Sequence, residues 1–397
     1  MLFNYKSRII KDFNLLSIEY KPKKIIGRKK EISDLAFNLS YFFREHYNLP
    51  KLFIYGTTGT GKTTIVNYVL DELKKECKKQ KRQLKIIRLK GSDCRSKYEI
   101  LKRMLLSLND GAKVPRNSSE VRDKLLETIK NKGLNLLIFV DEVHNIIETE
   151  INGVLYFISR LGEDLNYFEE SHKKLDNTKQ GKIGYILVSN EMTLLNSNKI
   201  QDNTKSSITK ERITFSRYSP EEISEILKER INDGALYEGT LPESVINLIS
   251  SLSVKEGEDS RYAILLLSKA AKVAEEKGLN IIEKELIMGV NKELRKNLLK
   301  EMMSEYPSLY LKVLKIIYNL SKTKLDINSK NIYEIYEKGE LNQDMKVVLS
   351  RISQILTDLE KDRVIYLISK RKNRCFSIKE NEQEIFDVLT EKGVYYG

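Results

Sequence analysis

Residues 51–64 read KLFIYGTTGTGKTT, an apolar strand followed directly by a glycine-rich loop. The loop has the pattern G-x-x-x-x-G-K-[ST], and every fixed position is filled. Its glycines let backbone N–H groups close around a polyphosphate, and the following helix directs the positive end of its dipole at the same place. The stretch therefore predicts nucleotide binding, with an ordinary glycine-rich turn as the alternative.

The chemistry expected of this loop is divided among its residues. Lys62 would neutralise the β- and γ-phosphates, and the Thr63 hydroxyl would ligate Mg²⁺. The predicted nucleotide contacts in the loop are Gly56, Thr57, Thr58, Gly59, Thr60, Gly61, Lys62, Thr63 and Thr64.

Composition limits the class of protein. A length of 397 residues suggests two or three domains, and a net charge of +13 favours a polyanionic partner, nucleic acid before membrane. The alternative is a lysine-rich protein whose charges only face water. No apolar run approaches the ~20 residues of a membrane helix, and no secretory signal is apparent. Cys77, Cys94 and Cys375 are scattered and odd in number, which favours a reducing cytosol, so we expect a cytoplasmic, nucleoid-associated protein.

The order of strand-like and helical segments predicts an α/β core with a parallel sheet, followed by helical regions. The predicted strands are 51–55, 84–90, 134–140, 183–189 and 213–215. After Ser219 the pattern is helical, with segments at 242–252, 260–277 and 283–303. We therefore expect a nucleotide-binding core over 1–218, a helical lid over 219–303 and a third domain over 304–397.

The third domain has the pattern of a winged helix-turn-helix. Helices are predicted at 308–321, 328–338 and 344–360, followed by two β-rich runs in 363–378. The polar face of the third helix and the basic hairpin tip suit contact with duplex DNA. The predicted DNA contacts are Lys346, Ser350, Ser353, Gln354, Thr357, Lys370, Arg371, Lys372 and Arg374. A protein-binding winged helix with a solvated wing is the alternative.

Polar residues at two strand ends are the candidate catalytic groups. Asp141 and Glu142 follow the apolar run 136–140; the first would hold Mg²⁺ through water, and the second would polarise an attacking water. Asn190 follows the strand at 183–189 and would contact the γ-phosphate and orient that water. The alternatives are a helix cap and a turn former. The tetrad ending at His144 is also found in helicases, but the sequence lacks the other paired helicase motifs.

In this order, the motifs resemble those of the AAA+ ATPases, and more closely the archaeal replication initiators related to the origin-recognition complex and the cell-division-cycle helicase loader. The resemblance covers about residues 15–380 and rests on GTTGTGKTT, LLIFVDEVHNI, VLYFISR, ILVSNEM and ITFSRYSPEEISEILKERI. It implies that Ile26, Gly27 and Arg28 belong to the adenine pocket. It further implies that Asn190 is the first sensor and that Arg261 is a second sensor reaching the γ-phosphate from the lid.

The chain departs from the family pattern at several places. An arginine usually precedes the Ser-Ser element and reaches a neighbouring subunit's nucleotide, but Asn203 stands there, and Lys205 cannot reproduce the guanidinium fork. A polar insertion over 162–182 is either an extra DNA or partner contact or a flexible surface loop. The acidic tetrad ends in His144 where Asp is more usual.

The resemblance implies an ATP-dependent, sequence-selective double-stranded DNA-binding initiator that marks an origin and recruits the replicative helicase. Its implied cofactors are ATP or ADP with Mg²⁺, and weak ATP hydrolysis would act as a switch. A paralogue or another copy of this chain would be the partner on DNA, and no membrane is involved. The alternatives are a transcriptional regulator with little ATP turnover and a helicase or clamp-loader-like motor.

Overall fold

The computed structural model describes most of the chain, in two compact units, residues 1–283 and residues 284–397. The described residues are 7–44, 49–109, 111–171, 181–190, 194, 200–255, 260–323, 325–338, 349–369, 374–379 and 381–394.

The first unit is built on a five-stranded sheet in which all neighbouring strands are parallel. The strands are β1 (Lys51–Gly56), β2 (Leu84–Lys90), β3 (Asn135–Asp141), β4 (Ile183–Ser189) and β5 (Glu211–Phe215). Their order across the sheet is β2-β3-β4-β1-β5. The predicted α/β class is confirmed, and each predicted strand is present within two residues of its expected bounds. Because the strands are parallel, the phosphate loop and the ends of β3 and β4 meet at one edge.

Helices cover both faces of this sheet, as the parallel arrangement requires. They are α1 (Lys29–Ser40), α2 (Lys62–Lys79), α3 (Lys97–Leu108), α4 (Ser118–Lys132), α5 (Glu148–Ser171) and α6 (Asp202–Ile208). Alternate residues of β1 enter different cores. Phe53 packs in the cluster beneath α3, α4 and α5, whereas Leu52 and Ile54 pack in the cluster beneath α1 and α2.

Three helices form the lid part of the first unit: α7 (Pro220–Asn232), α8 (Glu243–Lys255) and α9 (Ser260–Glu276). The start of α7 follows from its sequence. Ser219 accepts a hydrogen bond from the Glu222 backbone N–H, the Glu222 side chain accepts one from Ser219 N–H, and Pro220 occupies the first turn.

A segment preceding α1 is attached to the lid, which the sequence analysis did not predict. The Oε1 atom of Glu275, on α9, accepts hydrogen bonds from the backbone N–H groups of Arg8, Ile9 and Ile10, at 3.1, 2.7 and 2.8 Å. Ile10 also forms an antiparallel bridge with Leu236. We call residues 7–17 the N-terminal strap.

The second unit has the element order predicted for a winged helix. Its helices are α10 (Lys284–Ser304), α11 (Ser308–Ser321), α12 (Ser329–Lys338), α13 (Leu349–Lys361) and α14 (Glu382–Glu391). The antiparallel pair β6 (Tyr366–Ser369) and β7 (Cys375–Ser377) follows α13, and Phe376 also bridges to Ile327. Ile352, Ile355 and Leu359 of α13 lie in the core of this unit, so the periodicity seen in the sequence is a buried face. The final helix α14 was not predicted.

The boundary between compact units falls at residue 283, whereas the sequence placed the end of the lid at residue 303. Helix α10 therefore belongs to the second unit by its contacts. The three-domain division itself remains a prediction. Across the described ranges, no helix combines the length and apolarity that a membrane span requires.

Candidate nucleotide site and DNA-binding surface

The phosphate loop encloses the side chain of Lys62. Lys62 Nζ donates to the carbonyls of Gly56 and Thr57, at 2.9 and 2.7 Å, and only 4% of the residue is exposed. Gly61 has φ +84°, and an added Cβ would lie 2.7 Å from the Tyr218 hydroxyl, so glycine is required there on both counts. The loop thus holds an ammonium at its centre in the position that a polyphosphate would need.

Thr63 and Asp141 are brought into direct contact. The Thr63 hydroxyl donates to Asp141 Oδ2 at 2.8 Å, joining the start of α2 to the end of β3. Burial raises the pKa of the Asp141 carboxyl, and the Thr63 hydrogen bond opposes this effect. A buried carboxylate whose ionised form is disfavoured gains from a nearby cation. Hydroxyl and carboxylate oxygens are also the donors that Mg²⁺ prefers, so the residues present fit that ion.

Glu142 has an unusual backbone conformation. It lies in the left-handed region with φ +54°, which is rare for a side-chain-bearing residue. Its carbonyl packs against Gly91, where an added Cβ would lie only 2.0 Å from that oxygen. The Glu142 carboxylate accepts a hydrogen bond from Asn145 Nδ2 at 3.2 Å. Glu142 is therefore fixed at the end of β3 both by its own backbone turn and by Asn145.

Asn190 lies beside His144 because β3 and β4 are neighbours in the sheet. The Asn190 backbone N–H donates to His144 Nδ1 at 3.3 Å, and the end of the Asn190 amide lies 3.3 Å from His144 Nε2. Both residues are partly buried. The histidine to which the sequence analysis assigned no role is therefore the direct neighbour of the predicted first sensor.

A cavity of about 470 Å³ lies between the phosphate loop and the lid, a size suited to a small-molecule ligand. Residues from the loop, both strand ends and the lid share its wall, including Asn190 and Arg261. At the lid, Ser260 of α9 donates to the Gly59 carbonyl at 3.1 Å. The predicted site residues that line the cavity are Ile26, Gly59, Gly61, Lys62, Thr63, Thr64, Glu142, Asn190 and Arg261.

Arg28 has a different place from the one expected. Its guanidinium donates to the Thr60 carbonyl at 3.2 Å, the Ser216 carbonyl at 2.7 Å and Glu31 at 2.8 Å. It also stacks 3.8 Å from the centre of the Tyr218 ring, and the residue is 2% exposed. Arg28 thus lies behind the phosphate loop and holds it from the rear, and it does not line the cavity.

Gly27 is likewise placed by packing. It has φ +69°, and an added Cβ would lie 2.6 Å from the Glu222 carboxylate. Gly56 is close to the Phe215 carbonyl, where an added Cβ would lie 2.4 Å away. Gly56, Thr57, Thr58 and Thr60 belong to the phosphate loop, and neither they nor Gly27 line the cavity.

The cavity wall also includes isoleucines from the segment before α1 and from the lid, and the sequence analysis missed most of them. Ile18, Ile226 and Ile264 line it together with the predicted Ile26. Tyr20 donates to Asp233 at 3.0 Å, and Arg230 donates to the carbonyls of Leu15 and Ser17 at 2.6 and 2.7 Å. Leu15, Ser17 and Tyr20 are therefore tied to the C-terminal end of α7. The lid isoleucines carry no local signal in the sequence.

The predicted DNA contacts that can be described lie on one surface of the second unit. Ser350, Ser353, Gln354 and Thr357 are exposed on α13. Arg374, at the start of β7, donates to Thr357 at 3.2 Å and forms an ion pair with Glu360. Lys346, Lys370, Arg371 and Lys372 lie outside the described residues, as do residues 172–180 of the polar insertion.

The position of the missing arginine lies on α6. Asn203 is exposed and its side chain accepts a hydrogen bond from Thr204 N–H at 2.7 Å. Lys205 pairs with Asp202 on the same helix at 3.4 Å. Neither side chain supplies a guanidinium fork at this surface.

Two family models match parts of the chain. A model described as an AAA domain matches residues 50–189, and one described as a Cdc6 AAA+ ATPase-type lid domain matches residues 224–291. The chain thus combines an AAA domain with a Cdc6-type AAA+ lid. The resemblance noted in the sequence is therefore confirmed.

Similar proteins cover nearly the whole chain. An ORC1-type DNA replication protein of Thermococcus kodakarensis is 27% identical over 381 residues, covering 94% of this chain and 88% of that protein. ORC1-type DNA replication protein 1 of Sulfolobus acidocaldarius is 26% identical over 381 residues, covering 94% of this chain and 90% of that protein.

Solved structures share the fold across both units. The Aeropyrum pernix ORC1 protein in complex with DNA has a TM-score of 0.73 at 21% identity, covering 98% of each chain. The Aeropyrum pernix ORC2 protein, in ADPNP-ADP complexes, has a TM-score of 0.64 at 18% identity, covering 98% of this chain and all of that one. At these identities the likeness establishes the fold and no more.

Proposed function

We propose that this chain is an ATP-switched replication initiator that binds double-stranded DNA with sequence preference. The observation that carries the proposal is a cavity whose wall includes both the phosphate loop, through Lys62, and the lid, through Arg261. A triphosphate in that cavity would contact both parts at once, whereas a diphosphate would leave the γ-phosphate contacts unmade. Nucleotide state would thereby set the lid position.

Weak ATP hydrolysis would reset this switch. Glu142 would polarise the attacking water, Asn190 would hold the γ-phosphate and that water, and Arg261 would stabilise the developing charge. Thr63 and Asp141 would hold Mg²⁺, which would supply positive charge to the phosphates. Arg28 supports the loop from behind and takes no part in binding the base.

The second unit would bind the duplex through α13 and the hairpin. Its exposed polar side chains suit base edges in a major groove, and the basic hairpin suits phosphates. The DNA complex of the Aeropyrum pernix ORC1 protein supports a DNA-binding role for this fold. Recruitment of the replicative helicase, and pairing with a paralogue or a second copy of the chain on DNA, are further parts of the proposal. An initiator of this kind would act in the cytoplasm at the nucleoid.

The test is protection of the intergenic DNA next to its own gene by the purified full chain, with ATP, with ADP and without nucleotide. We expect ATP to alter affinity or footprint, and Lys62→Ala to remove the difference between nucleotides. Affinity should fall steeply with salt, by about 10³-fold between 50 and 200 mM for six phosphate contacts. Identical footprints under all three conditions would refute the switch.

Two classes of variant separate base contacts from phosphate contacts. Gln354→Ala or Ser350→Ala should change the preferred sequence, while Lys372→Ala should weaken all sequences about equally and reduce the salt slope by about one. An unchanged affinity of Lys372→Ala at several salt concentrations would refute the wing contact.

A transcriptional regulator with little ATP turnover is the second candidate. It is favoured by the surface of α6, where Asn203 stands in place of the arginine that would stimulate a neighbour's hydrolysis. Genome-wide occupancy distinguishes the two functions. One or a few intergenic sites favour the initiator, and many promoters favour the regulator.

A further inference from the structure

The contact between His144 and Asn190 has a consequence for the direction of the Asn190 amide. His144 lies in the 3₁₀ turn Val143–Asn145 that follows β3, and Asn190 directly follows β4. The two residues make two contacts, one from each ring nitrogen of the histidine, both at 3.3 Å.

The backbone contact determines the tautomer of His144. The Asn190 N–H cannot be rotated away, because the preceding residues of β4 are paired with β1 and β3. His144 Nδ1 must therefore offer its lone pair to this N–H, and the neutral ring carries its proton on Nε2.

The second contact then determines the orientation of the amide. An Nε2–H group needs an acceptor, and the two ends of an asparagine amide can exchange places by rotation about χ2. The structure has Asn190 Nδ2 at 3.3 Å from Nε2, which would set two donors against each other. Exchanging the two ends of the amide removes this conflict and puts the oxygen opposite Nε2. The NH₂ group is left at the other end of an amide that belongs to the cavity wall.

We propose that His144 is a positioning residue that holds the NH₂ group of Asn190 towards the γ-phosphate. Phosphate oxygens accept hydrogen bonds, so the NH₂ end attracts them and the carbonyl end repels them. Without His144 the amide is free to rotate, and part of the population presents the wrong end. The inference rests on the proposed ATP switch and names the group that orients its first sensor.

Two conservative substitutions separate the two contacts. In His144→Gln, the terminal amide lies three bonds from Cβ, as Nε2 does, so it can still donate to the Asn190 oxygen. In His144→Asn, the terminal amide lies two bonds from Cβ, as Nδ1 does, so it can still accept from the backbone N–H but cannot reach the side chain. If His144 only supports the backbone of Asn190, His144→Asn should restore activity. If His144 orients the Asn190 amide, His144→Gln should restore it.

The decisive experiment is a double-mutant cycle on the full chain with His144→Ala and Asn190→Ala. Two quantities are measured, the turnover of ATP and the ratio of ATP to ADP affinity by calorimetry. We expect each single variant to lower turnover about 10- to 100-fold, with ADP affinity changed less than about twofold. The double variant should be no worse than Asn190→Ala alone, since His144 acts through Asn190. His144→Gln should retain at least half of the turnover, and His144→Asn should not.

Three results would overturn the proposal. They are multiplicative losses in the double variant, full activity of His144→Ala, and rescue by Asn with failure of Gln. The affinity ratio serves as the readout if turnover is slow, because the γ-phosphate contact also contributes to the preference for ATP. If the wild-type chain binds neither ATP nor ADP, the proposed function fails. If the wild-type chain and both single variants all have the same ratio of ATP to ADP affinity, only the positioning role fails.

Discussion

Replacement of Arg28 tests whether this residue holds the phosphate loop or binds nucleotide. The guanidinium makes three hydrogen bonds, one of them to Glu31, and the two residues are 2% and 8% exposed. Arg28→Ala removes these contacts and leaves the Glu31 carboxylate buried without its cation. Removing one partner of a buried ion pair costs about 3–5 kcal/mol. For a unit of this size the melting temperature should fall by about 6–15 °C.

The assay is urea and thermal unfolding of the full chain, with and without saturating ADP. Because Arg28 does not line the cavity, the added stabilisation by ADP should persist in the variant at temperatures where it is folded. Arg122→Ala is the matched control, since Arg122 is half-exposed and its guanidinium pairs with the adjacent, exposed Asp123. That variant should change the unfolding free energy by less than about 0.5 kcal/mol.

A second variant tests the cause of the loss. The double variant Arg28→Ala, Glu31→Gln no longer buries an uncompensated charge, and it should recover about 1–3 kcal/mol relative to Arg28→Ala. The reasoning is refuted if Arg28→Ala unfolds like the wild type but binds ADP at least tenfold more weakly. That result would indicate that Arg28 contributes to the nucleotide pocket, as the sequence predicted.

Two further predictions concern Asp141 and the N-terminal strap. Burial raises the pKa of Asp141, so the folded state binds a proton more tightly than the unfolded state does. Ionisation of this carboxyl therefore lowers the stability of the fold as the pH rises from the unfolded-state pKa through the folded-state pKa. At neutral pH without Mg²⁺, Asp141→Asn should therefore melt at or above the wild-type temperature, and the difference should shrink in acid. The variant should also lose the stabilisation by Mg²⁺ and ATP. A lower melting temperature than that of the wild type at neutral pH would contradict this prediction. Glu275→Ala leaves the N–H groups of residues 8–10 without their carboxylate, at a cost of about 1–3 kcal/mol, so limited proteolysis should cut the strap first. Nucleotide should then bind more weakly, because the strap leads into residues 18–26 of the cavity wall, and unchanged proteolysis and affinity would count against the strap's role.

The sequence was sufficient for the parallel sheet, the phosphate loop and the winged-helix element order. These follow from local signals: apolar runs bounded by polar residues, the glycine spacing of 56–61, the Ser219–Glu222 cap and the buried face of α13. Each depends on residues a few positions apart, which the chain brings together by secondary structure alone. For the same reason, Lys62 and Thr63 could be placed in the loop without a structure.

Contacts between distant residues were decided by the tertiary structure. Arg28 and Ser216 are 188 positions apart, and Glu275 and Ile9 are 266 apart, so no sequence period links them. The sequence thus predicted Arg28 as part of the adenine pocket, while packing around Tyr218 placed it behind the loop. His144 and Asn190 likewise meet only because β3 and β4 became neighbours in the sheet. Local chemistry determined which groups the chain carries, and the order of strands across the sheet determined which of them touch.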